Sequence, residues 1–146
     1  MPKQVRNDLI TKNITYNSHG YCLPATKTSN DLKKFYYMPA TSYDHEGFEF
    51  VAMIEAKQYP FFGTQWHPEK PQFEWKSPLI PHNFDSIQSG IYFLNAFVEM
   101  ARKNTNRFNL KYLDLLSYNY QPEYAANYSP FMQIYKFEDF SIDSSS

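Results

Sequence analysis

A chain of 146 residues with 14 Lys+Arg against 15 Asp+Glu is one domain's worth, and its net charge of -1 excludes the basic stripe of nonspecific nucleic-acid binding and a polybasic membrane surface. Hydrophobic residues at 42% and aromatics at 19% exclude an intrinsically disordered chain, and no apolar run approaches the roughly 18–20 residues of a membrane helix. The single cysteine, Cys22, excludes an intrachain disulfide and a Cys-based zinc site. The first eight residues are polar and no apolar stretch follows, so no signal peptide is read on the chain as written. Residues 141–146 run into serines and read as a disordered tail.

In chain order, residues 12–17 are expected as a short strand and 18–30 as a loop. Asn30–Asp31 caps one helical turn through Phe35. Residues 36–43 read as a strand that Pro39 demotes to an edge or bulge. Asp44, His45, Glu46 and Gly47 form a turn. Apolar residues at 48, 50, 52 and 54 have period two and predict a half-buried strand over 48–55. A turn at 58–60 leads to a strand over 61–66, whose apolar character suits cover on both faces.

The Pro-rich stretch 68–81 reads as irregular. A helix follows over about 85–103. Asp85 and Gln88 have capping-box spacing. Ile87, Ile91, Leu94, Val98 and Ala101 make one apolar face, which Phe93, Phe97 and Met100 widen. Residues 108–140 are Tyr-rich, with one more strand expected at 132–137. Several strands in succession before one long helix suit the antiparallel finish of an α/β sheet whose parallel half lies elsewhere.

The segment Gln65-Trp66-His67-Pro68-Glu69-Lys70 can carry chemistry. An apolar strand runs into a histidine, and the carboxyl ends of strands are where α/β sheets gather functional groups. Pro68 restricts His67 to extended conformations. Glu69 can accept from one ring nitrogen and leave the other as a base toward a nucleophile. The same residues also fit a surface histidine before a proline, with Glu69 in solvent. His67, Glu69 and His82 admit a metal, though no third ligand has motif spacing. His45 and His82 read as solvated side chains in a turn and a loop. The tyrosines of the tail read as packing, with a stacking surface for a base or pterin as the alternative.

The run Gly63-Thr64-Gln65-Trp66-His67-Pro68-Glu69-Lys70 resembles the His-x-Glu end of class I glutamine amidotransferases. Phe73-Glu74-Trp75 narrows the likeness to the gamma-glutamyl hydrolase family. Asn17-Ser18-His19, Leu32-Lys33-Lys34-Phe35, Gly47-Phe48-Glu49-Phe50-Val51, Tyr59-Pro60, residues 99–104 and residues 133–137 occur in that family's order and spacing. The resemblance covers nearly the whole chain. It implies an α/β fold: the C-terminal part of a class I glutamine amidotransferase-like (flavodoxin-like) three-layer sandwich, over residues 1–140, with the N-terminal half missing. It implies a cysteine hydrolase (an omega peptidase) acting on folylpoly-gamma-glutamates. His67 is then the base and proton donor, Glu69 the third member of the triad, and His19 a residue near the substrate. No metal and no cofactor is implied, and the implied location is the lysosome, the vacuole or outside the cell. The sequons at Asn13 and Asn127 agree with such a location.

The nucleophile of that family belongs on a Gly-x-Cys-x-Gly turn between a strand and a helix. This sequence holds no such turn. Cys22 stands in Gly20-Tyr21-Cys22-Leu23-Pro24 and reads as a small, partly buried side chain rather than a nucleophile. The chain alone is therefore expected to be inactive. It reads as the C-terminal half of a gamma-glutamyl hydrolase or, alternatively, as a non-catalytic half-domain with a binding or regulatory role. An ammonia-supplying amidotransferase half is disfavoured by Phe73-Glu74-Trp75. A homodimer, or pairing with an N-terminal half, is the association this allows.

Overall fold

The computed structural model describes residues 1–137. The expected tail, 141–146, lies outside them.

The chain opens with helix α1 (Lys3–Thr11), which the polar composition of the first residues did not announce. Its one buried residue is Asp8. Gln4 and Lys12 both bond the Asp8 carboxylate, so burial of that group is compensated. The strand expected at 12–17 does not form. That segment joins no ladder; its backbone bond to the sheet side is from the His67 amide to the Tyr16 carbonyl, at 2.9 Å.

Helix α2 (Asn30–Phe35) is capped by Ser29, whose hydroxyl accepts from the Leu32 amide. Strands β1 (Tyr36–Tyr43) and β2 (Glu49–Ala56) form an antiparallel hairpin. Its turn is built by the Asp44 carboxylate, which accepts from the amides of Glu46 and Phe48. Gly47 takes φ +82°, which a side chain would resist. β1 is an edge strand, and its register slips between Tyr37 and Ala40, where Pro39 offers no donor.

Strand β2 departs from the expected alternation. Phe50, Val51 and Ala52 are all buried, while Phe48 is exposed. Adjacent residues of β2 point to opposite faces, so burial of all three means that both faces are covered there, and both edges are paired, one by β1 and the other by β3 and segment 23–25. The strand expected over 61–66 is shorter. β3 (Phe62–Thr64) pairs antiparallel with β2 as the opposite edge, and none of its residues is buried, so the expected cover on both faces is not found. Gln65 still donates to Ala52, and Trp66 turns into the core beside Phe50 and Ala52.

The Pro-rich stretch contains one helical turn, α3 (Lys70–Phe73). The long helix is α4 (Phe84–Ala101). Its cap is Asn83, which accepts from the Ser86 amide, rather than Asp85. Asp85 instead pairs with Lys12 at 2.5 Å and ties α1 to α4. The expected apolar face is also corrected. The buried residues of α4 are Ser86, Ser89 and Gly90, while Ile91, Phe97 and Val98 are exposed. Small residues let the backbone of α4 come close to the segment that carries His67. Phe93 joins that side, meeting the Trp66 ring edge-to-face at 5.4 Å.

Two short 3₁₀ turns (Leu110–Leu115 and Ser117–Asn119) lead to a minimal hairpin of β4 (Glu123–Tyr124) and β5 (Gln133–Ile134). The strand expected at 132–137 reduces to those two residues of β5. This hairpin clasps α3: Glu74 accepts from the Met132 amide, Lys76 donates to the Ser129 carbonyl, and Lys70 lies over the Phe131 ring. Among the described residues no helix is long and apolar enough to cross a membrane.

Candidate active site

His67 lies just beyond the carboxyl end of β3. Three local causes and one distant contact fix it there. Thr64 bonds the Trp66 carbonyl through its hydroxyl at 3.0 Å. Trp66 is anchored in the core. Pro68 removes the helical option for His67, and the His67 amide is taken up by the Tyr16 carbonyl. The backbone on either side of the ring is thus tied to different parts of the molecule.

Glu69 stands at the N-cap position of α3 in a helical backbone conformation, and its carboxylate makes no capping bond but meets the ring instead. His67 Nδ1 lies 2.9 Å from Glu69 Oε1. A carboxylate only accepts, so Nδ1 carries the proton of that bond and the neutral ring keeps its lone pair on Nε2. Among the described residues nothing hydrogen-bonds Nε2. The side chains of His67 and Glu69 are 40% and 43% exposed, so the pair is open to a reacting group. The solvated alternative for Glu69 does not describe this geometry.

His19 does not bond either residue. Its ring meets Phe50 edge-on at 5.3 Å. Phe50 precedes Ala52 on β2, and Ala52 receives the bond from Gln65. His19 therefore stands at the same end of β2 as His67. Tyr16 was not singled out from the sequence. Its carbonyl holds the His67 amide, and its ring centroid is 6.0 Å from the imidazole. Only the fold brings these two distant residues together, and no local pattern marks a carbonyl for such a role.

Cys22 is half-buried and packs against the cluster of Phe50, Ala52 and Trp66. The chain around it is extended and bridges to β2, with no strand-to-helix turn. His82 is not the solvated side chain expected. It is half-buried, stacks on Trp75 at 4.0 Å and 7°, and donates from Nδ1 to the Pro71 carbonyl. Among the described residues no three His, Cys, Asp or Glu side chains are grouped to hold a metal ion.

The family model for glutamine amidotransferase class-I matches residues 2–86, a span that holds the whole three-stranded sheet and the His67–Glu69 pair. The chain belongs to that family, and its fold class is the α/β one of class I glutamine amidotransferases. Within it, the chain is similar to gamma-glutamyl hydrolases. It is 34% identical to the gamma-glutamyl hydrolase of Rattus norvegicus over 142 residues, which is 94% of this chain and 44% of the rat protein. It is 36% identical to gamma-glutamyl hydrolase B of Dictyostelium discoideum, over 93% of this chain and 41% of that protein. It is 38% identical to gamma-glutamyl hydrolase 1 of Arabidopsis thaliana, over 85% and 36% respectively. The chain thus spans less than half the length of these relatives.

Proposed function

We propose that residues 1–140 supply the base and proton-donor side of a cysteine-type gamma-glutamyl hydrolase that removes gamma-linked glutamates from folylpolyglutamates. The single observation that carries this is the His67–Glu69 bond, with Nε2 left free in an accessible position. In this reading Nε2 takes the proton of a cysteine thiol, and Glu69 holds the ring in place and stabilises its charged form. The thiolate attacks the carbonyl carbon of the gamma-amide bond. His67 returns the proton to the leaving nitrogen, and the amine departs. The base then activates a water that cleaves the thioester. His19 lies close enough to the same end of the sheet to contact substrate.

Cys22 is half-buried against the core cluster and lies on no strand-to-helix turn, so the nucleophile is assigned to a second polypeptide segment, in keeping with relatives more than twice as long. That segment is the association partner this reading requires, with a homodimer as the other form of association. The location proposed, from the family resemblance, is lysosomal, vacuolar or extracellular. Asn13 and Asn127 are exposed, as a glycosylated surface needs.

The test supplies this chain with the remaining segment of the rat relative and a pteroyl-polyglutamate, and follows single-turnover acylation. His67→Ala should slow it about 10²–10⁴-fold, the usual worth of a positioned general base. Glu69→Ala should cost less, because an unoriented imidazole still meets the thiol part of the time. His19→Ala should act on KM more than on kcat. A His67→Ala rate within about threefold of the parent overturns the site. So does turnover by the chain alone that disappears with Cys22→Ala. Substrate binding without acylation in the assembled protein marks the non-catalytic alternative instead.

A further inference from the structure

The segment that carries His67 and Glu69 is held from outside its own strand. β3 ends at Thr64, and after Gln65 the ladder to β2 stops. The next support on this side comes from α4, through contacts that none of the chemistry above uses. The Gln72 side chain reaches from α3 to α4, where its amide nitrogen donates to the Ile87 carbonyl at 3.0 Å. A carbonyl only accepts, so this bond fixes which way the Gln72 amide points. Ile87 lies inside a helix, and the glutamine uses the second lone pair of a carbonyl already engaged in the helix ladder.

The approach requires a missing side chain. A Cβ at Gly90 would stand 2.3 Å from the Pro68 carbonyl oxygen and 2.1 Å from the Gln72 amide nitrogen. Pro68 is the residue between His67 and Glu69. The backbone linking the two functional side chains thus rests directly on α4 at Gly90, and Gln72 holds it down. The far end of α3 is secured separately. The Trp75 indole donates to the Gln72 carbonyl, and His82, stacked on Trp75, donates to the Pro71 carbonyl.

We infer that Gln72, seated on Gly90, is a positioning residue that holds the His67–Glu69 pair in register. It touches neither the imidazole nor a substrate in this account. It sets where Pro68 lies, and so how the Glu69 carboxylate meets Nδ1. His67 and Glu69 are both partly exposed, so solvent competes for each of them, and holding the backbone between them favours the pair. The consequence for turnover rests on the hydrolase reading above; the placement of the ring does not.

The test therefore reads the ring itself. In the whole chain, nitrogen NMR of the neutral His67 imidazole reports which nitrogen carries the proton. Assignment comes from His67→Asn, and Glu69→Gln serves as the reference for a weakened pair. The parent should show the Nδ1–H tautomer in excess. Gln72→Met keeps the volume and removes the donor, and it should lower that excess by up to about tenfold, the upper scale of one neutral hydrogen bond. Gln72→Glu keeps the length, places a carboxylate against the Ile87 carbonyl, and should do at least as much. Unchanged near-ultraviolet signals from Trp66 and Trp75 show that the fold is retained. If one variant does not fold, the other carries the measurement. Should the folded variants keep the parent tautomer ratio, Gln72 is only a link between helices and the inference is wrong. That result leaves the hydrolase reading intact. A loss of tautomer excess in a protein that never turns over even when supplied with the remaining segment of the rat relative sinks only the hydrolase reading.

Discussion

The two ends of strand β2 are built from the same kinds of residue and end up opposite in character. At one end Phe50 and Ala52 are buried with Trp66, the Phe93 ring meets Trp66 edge-on, and His19 covers Phe50. At the other end Phe35, Tyr59 and Phe61 stack nearly parallel, with centroids 5.4–6.4 Å apart, yet Tyr59 and Phe61 each remain 52% exposed. The first end is closed by three separate elements: α4, β3 with its continuation, and the segment after α1. The second has only the short helix α2 and the turn before β3. Aromatic content therefore does not decide burial here. What decides it is how many elements converge, and the candidate site lies where most of them do.

Removing the keystone of the closed end should have the largest effect. Trp66 is 8% exposed and precedes His67. Trp66→Ala should cost about 3–5 kcal/mol, the range for deleting a large buried aromatic. It should also release the His67 backbone. Urea unfolding measures the first effect, and the tautomer ratio of His67 measures the second. A cost below about 1 kcal/mol would mean that the apparent core contributes no more than a surface position.

Much of the closed end was legible in the sequence, and the reasons are local. Pro68 after His67, and Glu69 two residues on, constrain one another within three residues, so the pair could be read without knowing the fold. The hairpin of β1 and β2 was equally local, with the turn at Asp44 to Gly47 and the break at Pro39. The buried face of α4 was not legible. Its longest apolar stripe, through Ile91 and Val98, faces outward, and the inward residues are Ser86, Ser89 and Gly90. Hydrophobic periodicity finds faces that pack through side chains. It misses a face that packs by close backbone approach, because small residues carry little hydrophobic signal. Helix α1 escaped for a related reason, since its only buried residue is an aspartate. The part of the site that depends on distant segments, the Tyr16 carbonyl and the Gln72 amide, leaves no pattern along the chain.

The segment that carries Tyr16 to His67 is anchored by α1, and that anchor titrates. Hydrogen bonds from Lys12 and then Gln4 hold the Asp8 carboxyl below its ordinary value. Hydrogen bonds to Asp8 and then Asp85 hold Lys12 above its ordinary value. The signs differ. The Asp8 contribution is full above the ordinary aspartate value of about 3.9 and is lost as pH falls through the lower folded value. The Lys12 contribution is full below the ordinary lysine value of about 10.4 and is lost as pH rises through the higher folded value. Lys12→Met should therefore lower the urea midpoint by a constant amount from about pH 5 to pH 10. The difference should shrink toward both extremes. A difference that varies across the neutral range would show that some other group controls the docking of α1.

The open end gives the smallest expected change in stability and sharpens the contrast most. Tyr59 and Phe61 already meet water over about half of their surface. Truncation can forfeit only the stacked contacts, worth about 0.5–1.5 kcal/mol per aromatic pair. Tyr59→Ser and Phe61→Ser each break two stacked pairs and should each lower stability by about 1–3 kcal/mol, below the about 3–5 kcal/mol lost with Trp66→Ala. The same substitutions should change association more than folding. Phe35 and Tyr59 line a hollow with Lys34 and Lys57, and Phe61 immediately precedes β3, an edge strand. Exposed apolar surface next to an unpaired strand edge favours self-association. Sedimentation over a range of concentrations should show the parent chain associating and the variants shifted toward monomer. Loss of more than about 3 kcal/mol from either variant, comparable to deleting a core aromatic, would erase the distinction between the two ends. Unaltered association in both would remove the aromatic stack as its cause and leave the edge of β3 as the surface that pairs.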